Sequence, residues 1–120
     1  MRKAAMARRW CEQALAYDSL LAEAHFLLSL IHSQEGAFDQ ALAAMKRVVY
    51  LDRAAVLGHF SLAHLYRELG DSSRERKSLQ DTARLLDGLS DEAPIPWSDG
   101  MTAGRLRYIV RRQLGEVGGG

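Results

Sequence analysis

Hydrophobic side chains recur every three or four residues along most of this chain of 120 residues. That spacing is typical of helices with one buried face. The clearest segment covers residues 22–34, and its apolar face consists of Phe26, Leu27, Leu30 and Ile31. Gly36 follows as a helix stop, and a second periodic segment at 38–51 predicts a helix that folds back behind a short turn. The pair is therefore expected to form a helical hairpin.

The same plan returns 34 residues further along the chain, where Gly36 recurs as Gly70. At this offset the matched pairs are His25 and His59, Phe26 and Phe60, Leu28 and Leu62, and Leu51 and Leu85. A fixed period of this length indicates repeated hairpins that bury one another's apolar faces. Ser72, with Glu75 three residues later, predicts a capping box at the start of the second helix in the second hairpin.

The repeated unit resembles the tetratricopeptide repeat, a helical hairpin of 34 residues. Residues 22–55 match it, a second copy covers 56–89, and 4–17 resembles the second helix of an earlier repeat; the signature positions are Leu28, Ser29, Gly36, Ala41 and Val48. The resemblance implies an all-α fold of antiparallel hairpins stacked as a short right-handed solenoid. Because no first helix precedes Ala4, the chain is expected either to be cut from a longer protein, which we favour, or to begin at Met1 with a truncated repeat.

Two prolines, Pro94 and Pro96, interrupt the helical pattern and predict a linker at 90–101. Thr102 is suited to cap a last helix at 102–115, whose apolar stripe consists of Leu106, Ile109, Val110 and Leu114. Its polar outer face would consist of Arg105, Arg107, Arg111 and Arg112, as the end helix of a solenoid requires. We expect residues 1–120 to form a single domain, with Gly118, Gly119 and Gly120 disordered.

A closer resemblance rests on the segment Asp-Gly-Met-Thr-Ala-Gly-Arg-Leu at 99–106, behind the two repeats and the proline-bearing spacer. It is similar to the C-terminal region of chemoreceptor methyltransferases, which transfer a methyl group from S-adenosylmethionine to receptor glutamates. The resemblance implies a non-catalytic domain that docks or regulates such an enzyme in bacterial chemotaxis signalling. Its partner would be a chemoreceptor, a response regulator or the methyltransferase catalytic domain.

Stacked hairpins of this type place their first helices along a concave groove that can hold a peptide or a helix. The residues expected in the groove are Glu23, Phe26, Leu30, Ser33, Gln34, Leu57, Phe60, His64, Arg67 and Glu68. Phe26 and Phe60 repeat at one register, which predicts two aromatic anchors. The alternative is that the linker and the last helix fill the groove, with Trp97 and Met101 as plugs, so that both phenylalanines belong to the core. Another alternative is a structural or oligomerisation module that forms homodimers through its first helix.

The chain carries 16 Lys and Arg against 15 Asp and Glu, a formal net charge of +1. Such a balance creates no strong field to attract nucleic acid or an acidic membrane surface. The basic residues near the two ends are interleaved only with Trp10 and Tyr108, so they are expected to be solvated helix faces. No apolar run approaches the length that spans a bilayer. We therefore predict neither nucleic-acid binding nor membrane insertion.

Candidate chemistry is sparse. The one cysteine, Cys11, cannot form an internal disulfide, which points to a reducing, cytoplasmic setting. No segment has the strand, glycine-rich turn and helix of a dinucleotide-type cofactor site. The four histidines lack a convergent set of further ligands, so we expect no metal site at His25, His32, His59 or His64. The sequence therefore predicts no catalytic residue and no cofactor, and the chain is not expected to be an enzyme.

Overall fold

The computed structural model describes residues 2–119 and the side chains of residues 5–117. Six helices account for most of this part of the chain: α1 (Arg2–Tyr17), α2 (Ala22–Gln34), α3 (Phe38–Leu51), α4 (Val56–Glu68), α5 (Ser72–Leu86) and α6 (Ala103–Gly119). Within 2–119 the only β structure is an isolated bridge between Pro94 and Thr102. The all-α class is therefore confirmed, and α2 and α3 have the predicted bounds. The chain forms two compact units, Met1–Arg53 and Ala54–Gly120.

In each hairpin, one glycine follows the first helix and ends it. Gly36 and Gly70 both have a φ of +76°, in the left-handed region that glycine enters without a steric penalty from a Cβ atom. The amide of Ala37 donates to the carbonyl of His32 over 2.9 Å, and that of Asp71 donates to the carbonyl of Tyr66 over 2.9 Å. These bonds satisfy carbonyls at the helix end that have no partner within the helix. The predicted glycine stops are confirmed.

In the first unit, α2 packs against both α1 and α3. The buried apolar side chains of this unit are Cys11, Ala24, Phe26, Ile31, Ala41, Met45 and Val48. Ser29 is also buried, and its hydroxyl donates to the carbonyl of Ala41 over 2.7 Å. Because both residues are small, the backbones of α2 and α3 can approach closely at this point. The first hairpin is therefore closed by a small-residue contact with its own hydrogen bond.

In the second unit, α5 packs against both α4 and α6. The core of this unit draws on α4, α5, the linker and α6, and consists of Val56, Ala63, Leu79, Leu86, Ile95, Ala103, Leu106 and Val110. Ile95 comes from the linker, so the linker is a packed part of the unit. Leu57, Phe60 and Met101 pack against the same core and remain partly exposed.

The linker is held by backbone bonds between its two halves. The amide of Ile95 donates to the carbonyl of Met101 over 2.9 Å, and that of Ala103 donates to the carbonyl of Ala93 over 2.8 Å. Between these bonds, Trp97 and Asp99 have φ values of +67° and +58°, a region that bulky side chains rarely occupy. The surrounding bonds offset the cost of this conformation. The linker therefore has a defined conformation despite having no regular secondary structure.

Arg107 joins α6 to the linker. Its guanidinium donates to the carbonyls of Leu86 and Leu89 over 2.7 and 2.8 Å, and it forms an ion pair with Asp91. Leu86 is the last residue of α5, where a cation complements the negative end of the helix dipole. The Arg107 side chain is only 18% exposed. The prediction that it belongs to the solvated outer face of the last helix is therefore wrong, because its charge is used inside the unit.

Two further expectations about helix ends need correction. The cap of α5 is Asp71, whose carboxylate accepts from the amide of Arg74 over 3.1 Å, so the predicted box of Ser72 and Glu75 does not form. The Arg74 side chain and amide both donate to Asp71, and these bonds lower the pKa of its carboxyl. The cap on α6 is as predicted, since Thr102 accepts from the amide of Arg105 over 3.3 Å.

The last helix also continues past the predicted end at residue 115, through Gly118 to Gly119. Val117 packs against the core of the second unit, and its carbonyl accepts from Arg76 over 3.1 Å. These contacts offset the low helix propensity of the glycines in this turn. Disorder was predicted for all three terminal glycines; Gly118 and Gly119 are helical, and Gly120 lies outside the described residues.

Candidate protein-binding surfaces

The predicted groove residues of α2 differ widely in exposure. Phe26 is only 4% exposed, so its ring belongs to the buried set of the first unit. Leu30, on the same helix, is exposed instead, as are Glu23 and Gln34, while Ser33 is half-buried. A ligand can therefore reach α2 through Leu30 and its polar neighbours, whereas Phe26 is covered.

The predicted groove residues of α4 divide in the same way. Leu57 and Phe60 pack against the core of the second unit. His64, Arg67 and Glu68 are exposed in the last turns of the helix. The imidazole Nε2 of His64 lies 3.9 Å from a carboxylate oxygen of Glu68. The part of α4 open to a ligand is therefore polar.

Arg67, one of the predicted groove residues, lines a surface depression together with residues of α6. The depression has a volume of about 390 Å³, and α6 contributes Tyr108, Ile109, Arg112, Gln113 and Glu116 to its lining. The sequence reasoning assigned α6 only a capping role and so missed these residues. One sequence signal could have found them. α6 follows α5, the second helix of a hairpin, just as α4 follows α3, so α6 takes the position of the first helix of a next hairpin.

The exposed face of α6 is basic. Arg105, Arg111 and Arg112 are exposed, and none of them forms an ion pair with a carboxylate in the described part of the chain, nor does Arg67. Tyr108 lies among them and is 63% exposed. Arginine guanidinium groups and an exposed phenol are side chains that bind carboxylates and apolar groups of a partner.

The exposed face of α1 is apolar. Met6, Trp10 and Tyr17 lie on it at helical spacing, and Leu20 follows in the next turn; all four are exposed, Tyr17 to 95%. Trp10 and Tyr17 line a shallow depression of about 420 Å³ with Gln13, Ala14, Asp18 and Leu21. An exposed run of large apolar side chains is unusual on a surface that faces only water.

His25 and His32 have different surroundings. The Nε2 atom of His25 lies 2.9 Å from the carbonyl oxygen of Ser19. The Nδ1 atom of His32 is buried without a hydrogen bond. Among the described side chains no three His, Cys, Asp or Glu residues are grouped so that they could hold a metal ion. In the same part of the chain, no helix combines the length and the apolar character that a bilayer crossing requires.

Comparison with known proteins finds one repeat in the sequence and two solved structures with a similar fold. Residues 22–54 match the family model described as the tetratricopeptide repeat. No curated protein sequence matches the chain. Among solved structures, the type III secretion translocator chaperone SycD of Yersinia enterocolitica aligns with a TM-score of 0.80 at 14% identity, over 96% of this chain and 72% of its own.

A second solved structure, PcrH in complex with the chaperone binding region of PopD, aligns with a TM-score of 0.79 at 16% identity, over 98% of this chain and 80% of its own. Identities this low show the fold and leave the function open. The chain therefore contains a tetratricopeptide repeat at residues 22–54 and has the helical fold shared by SycD and PcrH.

Proposed function

We propose that this chain is a non-catalytic protein-binding module that holds a segment of a partner protein on the first helices of its hairpins. The observation that carries the proposal is the fold likeness to PcrH, a protein whose structure contains the chaperone binding region of PopD. The first helix of the hairpin in each unit has exposed residues that a segment can reach, Leu30 on α2 and His64 and Arg67 on α4. Helical repeats bind in this way because first helices present side chains from successive hairpins.

Two cellular settings are compatible with such a module. The first is a chaperone that holds a segment of a secreted protein, and the likeness to SycD and PcrH supports it. The second is docking to a chemoreceptor methyltransferase, which rests on the resemblance of residues 99–106 and receives no support from the comparisons. We therefore favour a chaperone-like module over a chemotaxis module.

The test requires substitutions that leave the core intact. Phe26→Ala and Phe60→Ala are unsuitable because Phe26 is buried and Phe60 packs against the core. Leu30→Glu combined with His64→Glu changes only exposed positions on first helices. Tyr50→Glu combined with Gln80→Glu makes the same change in charge at exposed positions on α3 and α5, and is the matched control.

The three proteins are compared as baits in a bacterial extract, and the segment bound by the wild type is then purified and titrated against each. We expect the first-helix variant to bind the purified segment at least about tenfold more weakly, because Leu30→Glu replaces an apolar contact with a charge and His64→Glu adds a second negative charge beside Glu68. The control should bind like the wild type. Equal affinity of all three for the segment would contradict the proposal.

A second candidate function is self-association through α1. Trp10 and Tyr17 are exposed, whereas the residues 34 positions later, Ala44 and Leu51, are half-buried in α3. α3 packs against α2, the first helix of its own hairpin. The comparison therefore indicates that another helix could cover the exposed face of α1. Trp10→Glu combined with Tyr17→Glu should then lower the sedimentation mass of the chain at high concentration. A monomeric mass for the wild type over a wide concentration range would reject this candidate.

A further inference from the structure

The surface that joins α4 to α6 concentrates unpaired positive charge around one aromatic ring. Arg67 and Arg112 line one depression with Tyr108, and Arg111 lines a second depression to which Tyr108 also contributes. Arg105 lies three residues before Tyr108, on the neighbouring turn of α6. We call Arg67, Arg105, Tyr108, Arg111 and Arg112 the arginine surface.

Five other basic side chains form ion pairs within the described part of the chain. Arg8 pairs with Glu35, Arg74 with Asp71, Lys77 and Arg84 with Asp81, and Arg107 with Asp91. The four arginines of the arginine surface form no such pair within the described residues. Their charge therefore remains available to a ligand.

The carboxylates near the arginine surface do not cancel it. Glu116 lines the depression beside Arg67, and Asp91 and Glu92 line the depression beside Arg111. Asp91 is already paired with Arg107, and Glu68 of α4 lies beside His64. Glu68, Glu92 and Glu116 remain against four arginines, so the surface around Tyr108 still has a net positive charge.

We infer that the arginine surface binds an acidic segment of a partner protein. Guanidinium groups can form two parallel hydrogen bonds with one carboxylate. Arg67 and Arg112 line one depression and could bind such carboxylates there. Tyr108 would pack against an apolar side chain set between the acidic ones. This inference rests on the proposed function and gives the chemical class of the partner that the second unit selects.

An acidic protein segment fits better than nucleic acid. Binding to single strands usually needs several aromatic side chains that stack on successive bases. The arginine surface contains one exposed aromatic ring, Tyr108, and the formal net charge of the whole chain is only +1. A single ring with flanking arginines matches the alternation of apolar and acidic residues in a peptide.

The test uses the full chain and a fluorescein-labelled peptide in which two leucines are set among glutamates. We expect saturable binding that weakens as salt is added. Arg67→Glu combined with Arg112→Glu should weaken binding by at least about tenfold, and Tyr108→Ala by roughly threefold to tenfold. The matched controls are Arg9→Glu combined with Arg47→Glu, and Tyr50→Ala, which change exposed residues of the first unit.

Three results would overturn the inference. They are absence of saturable peptide binding, equal losses in the surface variants and their controls, and tighter binding of a single-stranded oligothymidylate of equal charge. If the partner segment from the extract still binds through Leu30 and His64 while the acidic peptide does not bind, the proposed function stands and only the acidic partner class fails. If both fail, the chain is not a protein-binding module of this kind.

Discussion

The first and last helices of the chain, α1 and α6, expose opposite kinds of surface. On α1 the exposed side chains include Met6, Trp10 and Tyr17, and they are large and apolar. On α6 they are mainly arginines around Tyr108. Each helix nevertheless packs one face against a single neighbouring helix of its own unit. The difference therefore lies in the face that no other helix covers.

The two exposed faces favour binding to different kinds of partner. The bare face of α1 leaves apolar area in water, so covering it with another protein surface would be favourable. The bare face of α6 is well solvated, so only a ligand that supplies opposite charge gains from binding it. The two proposals follow from this difference, a helical partner for the first unit and an acidic one for the second.

The largest expected effect is on the free energy of unfolding, and it separates a buried residue of α6 from an exposed residue of α1. Leu106 is fully buried in the core of the second unit, whereas Met6 is exposed on α1. Leu106→Ala should lower the free energy of unfolding by about 2–5 kcal/mol through lost burial and a cavity. Met6→Ala should change it by less than about 0.5 kcal/mol. Denaturant titration followed by circular dichroism measures both, and similar losses would show that the assignment of inner and outer faces is wrong.

The next effect concerns the charge that α6 uses within its own unit. Arg107→Ala removes the donor to two carbonyls, Leu86 and Leu89, and the partner of Asp91. We expect a loss of about 1.5–3 kcal/mol, because charged hydrogen bonds are lost and the carbonyls are left without this donor. Arg105→Ala, at an exposed position without an ion pair among the described residues, is the control and should be nearly neutral. Loss of equal size in both variants would contradict the structural role of Arg107.

Sequence reasoning was strongest where structure depends on near neighbours. The spacing of Phe26 and Ile31 and the stop at Gly36 are local signals, so α2 and its hairpin could be predicted with their bounds. The linker was predicted at 90–101, but its conformation could not be, because no periodic pattern pairs Ile95 with Met101 or signals the left-handed backbone of Trp97.

The same limit applies to the candidate binding surfaces. Periodicity placed Phe26 and Leu30 on one apolar helix and could not decide which of them is covered. The place of Arg67 beside Tyr108 follows from how α4 and α6 are arranged around α5, which no local pattern encodes. The composition of a surface can therefore be read from the sequence more readily than its location.

A smaller effect distinguishes two glycines of α6. A Cβ atom at Gly104 would lie 3.1 Å from the Cβ atom of Asp91 and 3.2 Å from its carbonyl oxygen, whereas one at Gly115 would meet nothing within 4 Å. Gly104→Ala should destabilise the chain by roughly 1 kcal/mol, because the linker must shift. Gly115→Ala should stabilise it by about 0.5–1 kcal/mol through helix propensity. Thermal unfolding compares them, and stabilisation by both would show that the linker does not hold Asp91 against α6.

The smallest expected effect is a dependence of stability on pH. The side chain and the amide of Arg74 donate to Asp71 and hold the pKa of its carboxyl below the usual range. The Asp71 carboxylate therefore contributes fully to stability above its pKa in the unfolded chain, about 3.9. This contribution is lost as pH falls through the lower pKa of the folded chain. Asp71→Asn keeps the capping oxygen and should lose less stability than the wild type between about pH 7 and pH 3. Identical pH profiles would contradict this assignment.

The most direct test of partner binding by first helices is site-specific photocrosslinking. A photoreactive amino acid is placed singly at the exposed positions 30, 64 and 108, on α2, α4 and α6, and at the exposed positions 50 and 80, on α3 and α5. After irradiation in a bacterial extract, the account predicts that one partner protein is crosslinked from 30 and 64 and not from 50 or 80, with 108 joining if the partner segment is acidic. Crosslinks that form equally from all five positions, or only from 50 and 80, would contradict it.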